Sequence, residues 1–129
     1  MKKTILATIL AMSCVAHAQT IPEKAFSATQ IALEGAFDAV LVADYQQTSK
    51  IDGFCDGRVN CSIHETNPLL GDDPGRARVH NYFLTTAATH AAVSYFIDPK
   101  YRTAWQAVSL GLETAVVIHN KHIGLNFNF

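Results

Sequence analysis

The feature that most constrains the fold of this chain is a run of 19 residues, 79–97, without Asp, Glu, Lys or Arg. As a helix it would be about 28 Å long, close to the thickness of the hydrocarbon core of a bilayer. Asp98-Pro99 ends the run, because the residue before a proline is disfavoured in the helical conformation. The sequence therefore predicts a long, mostly apolar helix over about residues 79–97.

A second mostly apolar stretch, 104–120, follows and is interrupted by Glu113. The short connection between the two stretches predicts antiparallel neighbours, a helical hairpin. Lys100 and Arg102 in the connection agree with the tendency of basic residues to stay on the cytoplasmic side of a membrane, although two arginines at the other end oppose it. The hairpin is predicted to be membrane-associated and spanning, with a soluble periplasmic helical bundle as the alternative.

The first 18 residues resemble a secretory signal peptide. They contain two lysines, an apolar run and a terminal Ala-His-Ala, in the order that such signals use. Cleavage is expected before Gln19, with lipidation at Cys14 and an uncleaved anchor as alternatives. We therefore expect an exported protein of the bacterial inner membrane or periplasm, in which residues 19–129 form a single small helical domain.

The charge of this predicted mature chain limits its partners. Eight basic and 11 acidic residues remain in it, and no basic stripe is present of the kind that nucleic-acid-binding proteins carry. Nucleic acid is therefore not expected as a partner. The expected partners are membrane lipid, another envelope protein or a second copy of the chain.

Residues 48–78 are predicted to be a loop, because Asp-Gly and Pro-Gly turn signals crowd them. Cys55 and Cys61 lie in this loop on either side of Asp56-Gly57. In an oxidising compartment, such a pair is expected to close a small disulfide loop.

The first helix is predicted over about residues 28–47. It begins with "SATQ", a capping box in which Ser27 caps the helix and Gln30 reaches back. Glu34 and Asp38 share one face of this helix, and Asp44 lies about a quarter turn away. The helix is therefore expected to be amphipathic and to pack on the other two or lie at an interface.

Polar residues on the last helix also share a face. Gln106, Glu113 and Asn120 fall within roughly 60° of each other at 100° per residue. Such a stripe either faces solvent or buries a hydrogen-bonded carboxylate, and a buried acid in an apolar helix is typical of a functional site. His90 is at about the same depth in an antiparallel hairpin, so a pair between His90 and Glu113 is a hypothesis.

The stretch "HETNPLLGDDPGR" is predicted to steer the chain into the second hairpin helix. Glu65 is expected to accept backbone N–H groups, Asn67 to be extended before proline, and Leu69 and Leu70 to pack at the core edge or membrane surface. Gly71 would allow a sharp turn.

The candidate functional residues form one polar set: Glu34, Asp38, Asp44, Glu65, Asn67, His90 and Glu113. Carboxylates with imidazole suit zinc, iron or manganese, but the Glu-x-x-His spacing of di-iron bundles is absent, and the "HE" at 64–65 has no second histidine four residues on. No catalytic residue, metal or cofactor is therefore predicted.

Two short motifs carry a resemblance to a known group. "DYQQT" at 44–48 and "ETNP" at 65–68, followed by two apolar helices, resemble small uncharacterised bacterial multi-pass membrane proteins with D-x-x-Q-T and E-x-N-P motifs. The resemblance covers about residues 38–120. It implies a helical membrane protein in which the D-x-x-Q-T segment ends a spanning helix, and it implies no activity.

The tail "HIGLNFNF" alternates apolar and polar residues, as a strand does. A short extended arm that packs on the domain is expected, and addition of a strand to a partner's sheet is the alternative.

Three functions remain open from the sequence. The first is a small envelope membrane protein with a structural or accessory interaction role. The second is a soluble periplasmic domain that binds a partner through its tail or acidic helix. The third is a membrane-embedded metal-dependent enzyme or ion-handling protein that uses Glu113, His90 and the acids of the first helix. An enzyme is the less favoured interpretation.

Overall fold

The computed structural model describes residues 25–51, 65, 67–71 and 74–125. These ranges contain three helices and no strand: α1 (Ala28–Thr48), α2 (Arg76–Phe96) and α3 (Pro99–His122). The prediction of a small all-helical bundle is confirmed, and the bounds of α1 and α2 fall within a few residues of those expected. The predicted signal peptide lies outside the described residues.

The start of α1 confirms the predicted capping box. The Oγ of Ser27 accepts the backbone N–H of Gln30 at 3.2 Å, and the Oε1 of Gln30 accepts the backbone N–H of Ser27 at 3.0 Å. Two backbone donors that the first turn of a helix leaves unpaired are thereby satisfied. The side chain of Gln30 also donates to the Oγ1 of Thr103 at 3.2 Å, so the same residue joins α1 to α3.

The third helix begins at Pro99 and not near residue 104. Ile97 is extended, with ψ 149°, and the carboxylate of Asp98 accepts the backbone N–H of Lys100 at 3.0 Å. Proline is well suited to the first position of a helix, where its missing N–H has no partner to lose. The Asp98-Pro99 pair thus ends α2 and also starts α3.

The end of α3 replaces part of the predicted extended tail. Gly124, with φ 98°, donates its backbone N–H to the carbonyl of Lys121, and Leu125 donates to the carbonyl of Asn120. This pair of bonds is a Schellman motif, in which a glycine in the left-handed conformation closes a helix. Residues 123–125 are therefore a helix cap and not a strand, and residues 126–129 lie outside the described part.

The helices α2 and α3 do not pack on each other as the tight hairpin that the sequence predicted. The most extensive interface joins α1 to α3, whereas α2 and α3 contact each other least. An apolar core fills the space between α1, α2 and the turn before α2, and its buried members are Phe37, Leu41, Leu70, Val79 and Phe83. The first helix is therefore the centre of the fold.

The prediction of a membrane-spanning hairpin is wrong. Across the described ranges, no helix combines the length and the apolar character that crossing a membrane requires. The polar residues Thr, Ser, His and Asn lower the hydrophobicity of α2. Ionisable side chains interrupt the apolar sequence of α3.

The predicted disulfide is not seen either. No disulfide forms within the part of the chain that the structure describes, and Cys55 and Cys61 lie outside it.

The turn before α2 has the structure that its sequence indicates. The Oε1 of Glu65 accepts the backbone N–H of Asn67 at 2.7 Å, and the Oδ1 of Asn67 accepts that of Leu69 at 3.0 Å. Leu70 is buried in the core, while Leu69 is exposed and does not pack. Gly71 has φ 77°, in the left-handed region that favours glycine.

Gly71→Ala is expected to lower the free energy of unfolding by about 1 kcal/mol, because alanine is strained at positive φ. Gly35→Ala is the matched control. Gly35 lies in the middle of α1 with open space around it, so alanine there should raise the free energy of unfolding by up to about 1 kcal/mol. Urea denaturation followed by circular dichroism measures both. Equal effects of the two substitutions would contradict the left-handed turn.

Candidate functional site

The polar stripe of α3 faces α1 and not solvent. Gln106 is fully buried, and Glu113 and Asn120 are partly buried against α1. Residues spaced by seven lie on one side of a helix, so these three meet a matching series of polar residues on α1. The result is an interface with polar groups at both ends.

The first polar group centres on Glu34. Its Oε1 lies 3.0 Å from the Nδ1 of His90, and its Oε2 accepts the side-chain N–H of Gln106 at 2.7 Å. The carboxylate thus joins all three helices. Burial alone would raise the pKa of Glu34, but the hydrogen bonds from His90 and Gln106 outweigh it and hold the pKa below its usual value.

His90 does not pair with Glu113 as the sequence suggested. Its ring stacks on Phe37, with centroids 3.7 Å apart, and lies 5.4 Å from the ring of Trp105. Only 4% of the residue is exposed. The bond to Glu34 fixes the ring through Nδ1, while the buried Nε2 has no hydrogen-bond partner among the described residues.

Arg102 closes the same end of the bundle. It is fully buried, and its Nε donates to the carbonyl of Ser94 at 2.6 Å. Its guanidinium also lies 4.2 Å from the ring centre of Phe26 and contacts the carbonyl of Ala25. A buried charge requires such a set of acceptors, so we assign Arg102 a structural role.

The second polar group lines an open pocket of ≈ 500 Å³ at the other end of the α1–α3 interface. Its polar wall is formed by Asp44 and Thr48 of α1, Glu113, His119 and Asn120 of α3, and Glu65 and Asn67 of the turn. Its apolar wall is formed by Leu70, Tyr82, Leu112, Ala115 and Val116. Three helices and the turn therefore meet around one cavity.

Asp44 and Glu113 form a carboxyl pair in this pocket. Asp44 is buried and accepts the side-chain N–H of Asn120 at 2.6 Å and the hydroxyl of Thr48 at 3.4 Å. Glu113 lies close enough that its carboxyl group and that of Asp44 influence each other's pKa. Two carboxyl groups held near each other do not readily carry two negative charges, so the pair keeps a proton to a higher pH than an exposed acid does.

The pKa values of both acids are raised, mainly by burial. Burial and the charge of Glu65 raise the pKa of Asp44 to about 6. Burial and the neighbouring Asp44 raise the pKa of Glu113 to about 7. Both acids therefore lose their protons nearer to neutral pH than an exposed carboxyl group does.

The structure divides the predicted polar set between the two groups. Asp44, Glu65, Asn67 and Glu113 line the pocket, and Glu34 pairs with His90. Asp38 lies on α1 between the Glu34 group and the pocket and belongs to neither of them. Residues of both short motifs, D-x-x-Q-T and E-x-N-P, thus come together at the pocket.

Sequence reasoning missed several contributors. Thr48, Tyr82 and His119 line the pocket, and Gln47 holds the end of α3 by donating to the carbonyls of Leu125 at 3.0 Å and Val117 at 3.3 Å. The spacing of Asp44 and Thr48, four residues apart on a helix, placed them on one face. No local signal marked Tyr82 or His119.

Within the described ranges, no group of three or more His, Cys, Asp or Glu is arranged to hold a metal ion. Asp44, Glu65 and Glu113 share a cavity but do not form such a group. What the pocket offers chemically is negative charge, amide and hydroxyl hydrogen-bonding groups and an apolar wall.

Comparisons with protein-family models, with curated proteins and with solved structures returned no match to this chain. The resemblance carried by the two motifs therefore stays a prediction.

Proposed function

We propose that this protein is a small exported binding protein whose pocket holds a cationic ligand, an amine with an apolar body. Export is supported by the signal-like first 18 residues alone. Binding is supported by the pocket between α1, α3 and the turn. Of the functions open from the sequence, the proposal follows the soluble partner-binding domain and places binding in the pocket.

The convergence of three carboxyl groups on one cavity carries the proposal. Asp44, Glu65 and Glu113 all line the pocket, and its described lining contains no Lys or Arg. Burial and the nearby negative charges both disfavour ionisation of Asp44 and Glu113 and raise their pKa values. An ammonium group would offset these negative charges and take the place of a bound proton.

The remaining lining fits the rest of such a ligand. Leu70, Tyr82 and Leu112 offer apolar and aromatic surface, and Asn67 and Asn120 offer amide groups. Mixed walls of this kind, in a cavity of a few hundred Å³, are usual for sites that bind small organic molecules. The Tyr82 ring would also favour a nearby cation.

Ligand binding should depend on pH with a definite sign. An ammonium group competes with the protons that Asp44 and Glu113 bind. Binding is therefore expected to be weak at pH 5, where the pair is protonated, and stronger at pH 8, above the pKa values of about 6 and about 7. Because up to two protons compete with the ligand, its dissociation constant is expected to be at least about tenfold higher at pH 5 than at pH 8.

The test uses benzylamine as a probe and benzyl alcohol as its neutral counterpart. We expect benzylamine at pH 8 to shift the backbone resonances of pocket residues such as Thr48 and Asn120 in two-dimensional NMR. The double variant Asp44→Asn, Glu113→Gln should weaken this binding at least about tenfold, because it removes two of the three charges.

Asp98→Asn is the matched control, since Asp98 is an exposed acid at the far end of α3. It should bind benzylamine like the unaltered protein. Equal binding of benzyl alcohol and benzylamine, or binding that is unchanged between pH 5 and pH 8, would reject a site for cations.

A further inference from the structure

The pocket between α1, α3 and the turn is rich in hydrogen-bond acceptors. Asp44, Glu65 and Glu113 each bring a carboxyl group to its lining, and an ionised carboxylate accepts hydrogen bonds but donates none. Two donors of the same lining, the hydroxyl of Thr48 and the side-chain amide of Asn120, donate to Asp44. A ligand that itself donates hydrogen bonds therefore fits this pocket.

The hydrogen bonds within the protein leave acceptor capacity on the acids. Both bonds to Asp44 reach the same oxygen, Oδ1, at 2.6 and 3.4 Å. The bond to Glu65 reaches Oε1 at 2.7 Å. Oδ2 of Asp44, Oε2 of Glu65 and the carboxyl group of Glu113 can therefore each accept a hydrogen bond from a ligand.

Aromatic surface, by contrast, is scarce in the pocket. Tyr82 is the only Phe, Tyr or Trp in its described lining. Sites for quaternary ammonium ions surround the ion with a cage of aromatic faces, and one ring does not form a cage. The methyl groups of such an ion would also cover carboxylates without donating to them, which is costly for a buried charge.

We propose that the pocket selects a primary ammonium group over a quaternary one, with Glu113 as one of the hydrogen-bond acceptors. This inference rests on the proposed cation site and names the class of cation. A primary ammonium group has three N–H donors, one for each carboxyl group in the lining, whereas a quaternary ion has the same charge and no donor. The cavity of ≈ 500 Å³ is open, so its size excludes neither ion.

The first test compares three cations that share a benzyl group. At pH 8 benzylamine, N,N-dimethylbenzylamine and benzyltrimethylammonium are all cations, and they offer three, one and no N–H groups. NMR titration of the Thr48 and Asn120 backbone resonances measures each dissociation constant. We expect that of benzyltrimethylammonium to be at least about tenfold higher than that of benzylamine. N,N-dimethylbenzylamine should lie between them, because it keeps one N–H.

The second test assigns the acceptor role to Glu113 with two variants of similar shape. Glu113→Met removes both the charge and the acceptor, whereas Glu113→Gln removes the charge and keeps an acceptor oxygen. The lost charge weakens benzylamine and benzyltrimethylammonium alike, so the ratio of their dissociation constants isolates the hydrogen bond. The ratio should fall at least about threefold in Glu113→Met and less in Glu113→Gln. Circular dichroism checks folding, and the three cations decide on the unaltered protein in any case.

A primary ammonium group can come from a small amine or from a lysine side chain of a partner protein. Hexylamine and Nα-acetyl-lysine methylamide separate these sources at pH 8. Tighter binding of hexylamine assigns the pocket to small amines, and binding of the lysine derivative that is equal or tighter assigns it to a lysine. Either result supports selection of primary ammonium, provided that hexyltrimethylammonium binds at least about tenfold more weakly than hexylamine.

Equal dissociation constants for benzylamine and benzyltrimethylammonium would overturn the selection and leave the cation site standing. N,N-dimethylbenzylamine that binds as weakly as benzyltrimethylammonium would also overturn it, because size would then decide. An unchanged ratio in Glu113→Met would remove Glu113 from the acceptors. Absence of binding by all three benzyl cations would reject the cation site and this inference together.

Discussion

Replacing Glu34 with alanine is expected to lower the free energy of unfolding at pH 7 by about 3 kcal/mol. The carboxylate is the partner of two buried groups, Nδ1 of His90 at 3.0 Å and Nε2 of Gln106 at 2.7 Å. Leaving a buried polar group unsatisfied costs about 1–3 kcal/mol, and the substitution leaves two. Urea denaturation followed by tryptophan fluorescence measures the effect, because Trp105 lies next to the His90 ring.

Glu34→Gln is the matched control, because it keeps the shape and one acceptor oxygen while removing the charge. It should cost about 1–2 kcal/mol, less than alanine. If Glu34→Ala costs less than about 0.5 kcal/mol, the Glu34–His90–Gln106 group does not hold the three helices together.

The local parts of the fold could be predicted from the sequence because their causes are local. Ser27 and Gln30 are three residues apart, and the capping box that they form depends on nothing else. The turn containing Asn67 and Gly71 was predictable for the same reason, since its hydrogen bonds join residues two to four apart. The end of α3 was misjudged because Gly124 was counted in an alternating pattern and not as a helix cap.

The arrangement of the helices could not be derived in this way. Long apolar runs at 79–97 and 104–120 suggested that these two helices pack on each other along their length, and His90 was therefore paired with Glu113. In the structure α1 lies against α3 along the interface, so His90 meets Glu34 and Glu113 meets Asp44. These contacts join residues more than 50 positions apart, and no local pattern distinguishes one partner from another.

The orientation of the polar stripe of α3 could not be predicted from the sequence either. A spacing of seven places Gln106, Glu113 and Asn120 on one side of α3, but periodicity alone does not say whether that side faces protein or water. Here the polar side is buried because α1 offers matching polar groups in Glu34 and Asp44. The apolar side is then exposed, so a mostly apolar stretch is compatible with a helix that, like the others in the described ranges, is not apolar enough to cross a membrane.

Glu113→Gln is expected to raise the free energy of unfolding at pH 8 by about 1–2 kcal/mol, after allowance for the partial exposure of the glutamate. The folded protein raises the pKa of Glu113 from 4.5 to about 7 and that of Asp44 from 3.8 to about 6. The folded state therefore binds protons more tightly than the unfolded state. The stability that these protons provide is complete below about pH 4 and is lost as the pH rises through 6 to 7.

Removing the Glu113 charge should flatten this decline, and urea denaturation between pH 4 and pH 9 measures it. Glu34→Gln is the control, and its effect on the pH dependence should be opposite. Because folding lowers the pKa of Glu34, the ionised carboxylate stabilises the protein above pH 4.5, and this stabilisation is lost as the pH falls. The two glutamine variants lie on the same α1–α3 interface and differ by one charge each from the unaltered protein. Because folding lowers the pKa of Glu34 and raises that of Glu113, the two substitutions should change the pH dependence of the free energy of unfolding in opposite directions. Parallel profiles would contradict the raised pKa of Glu113.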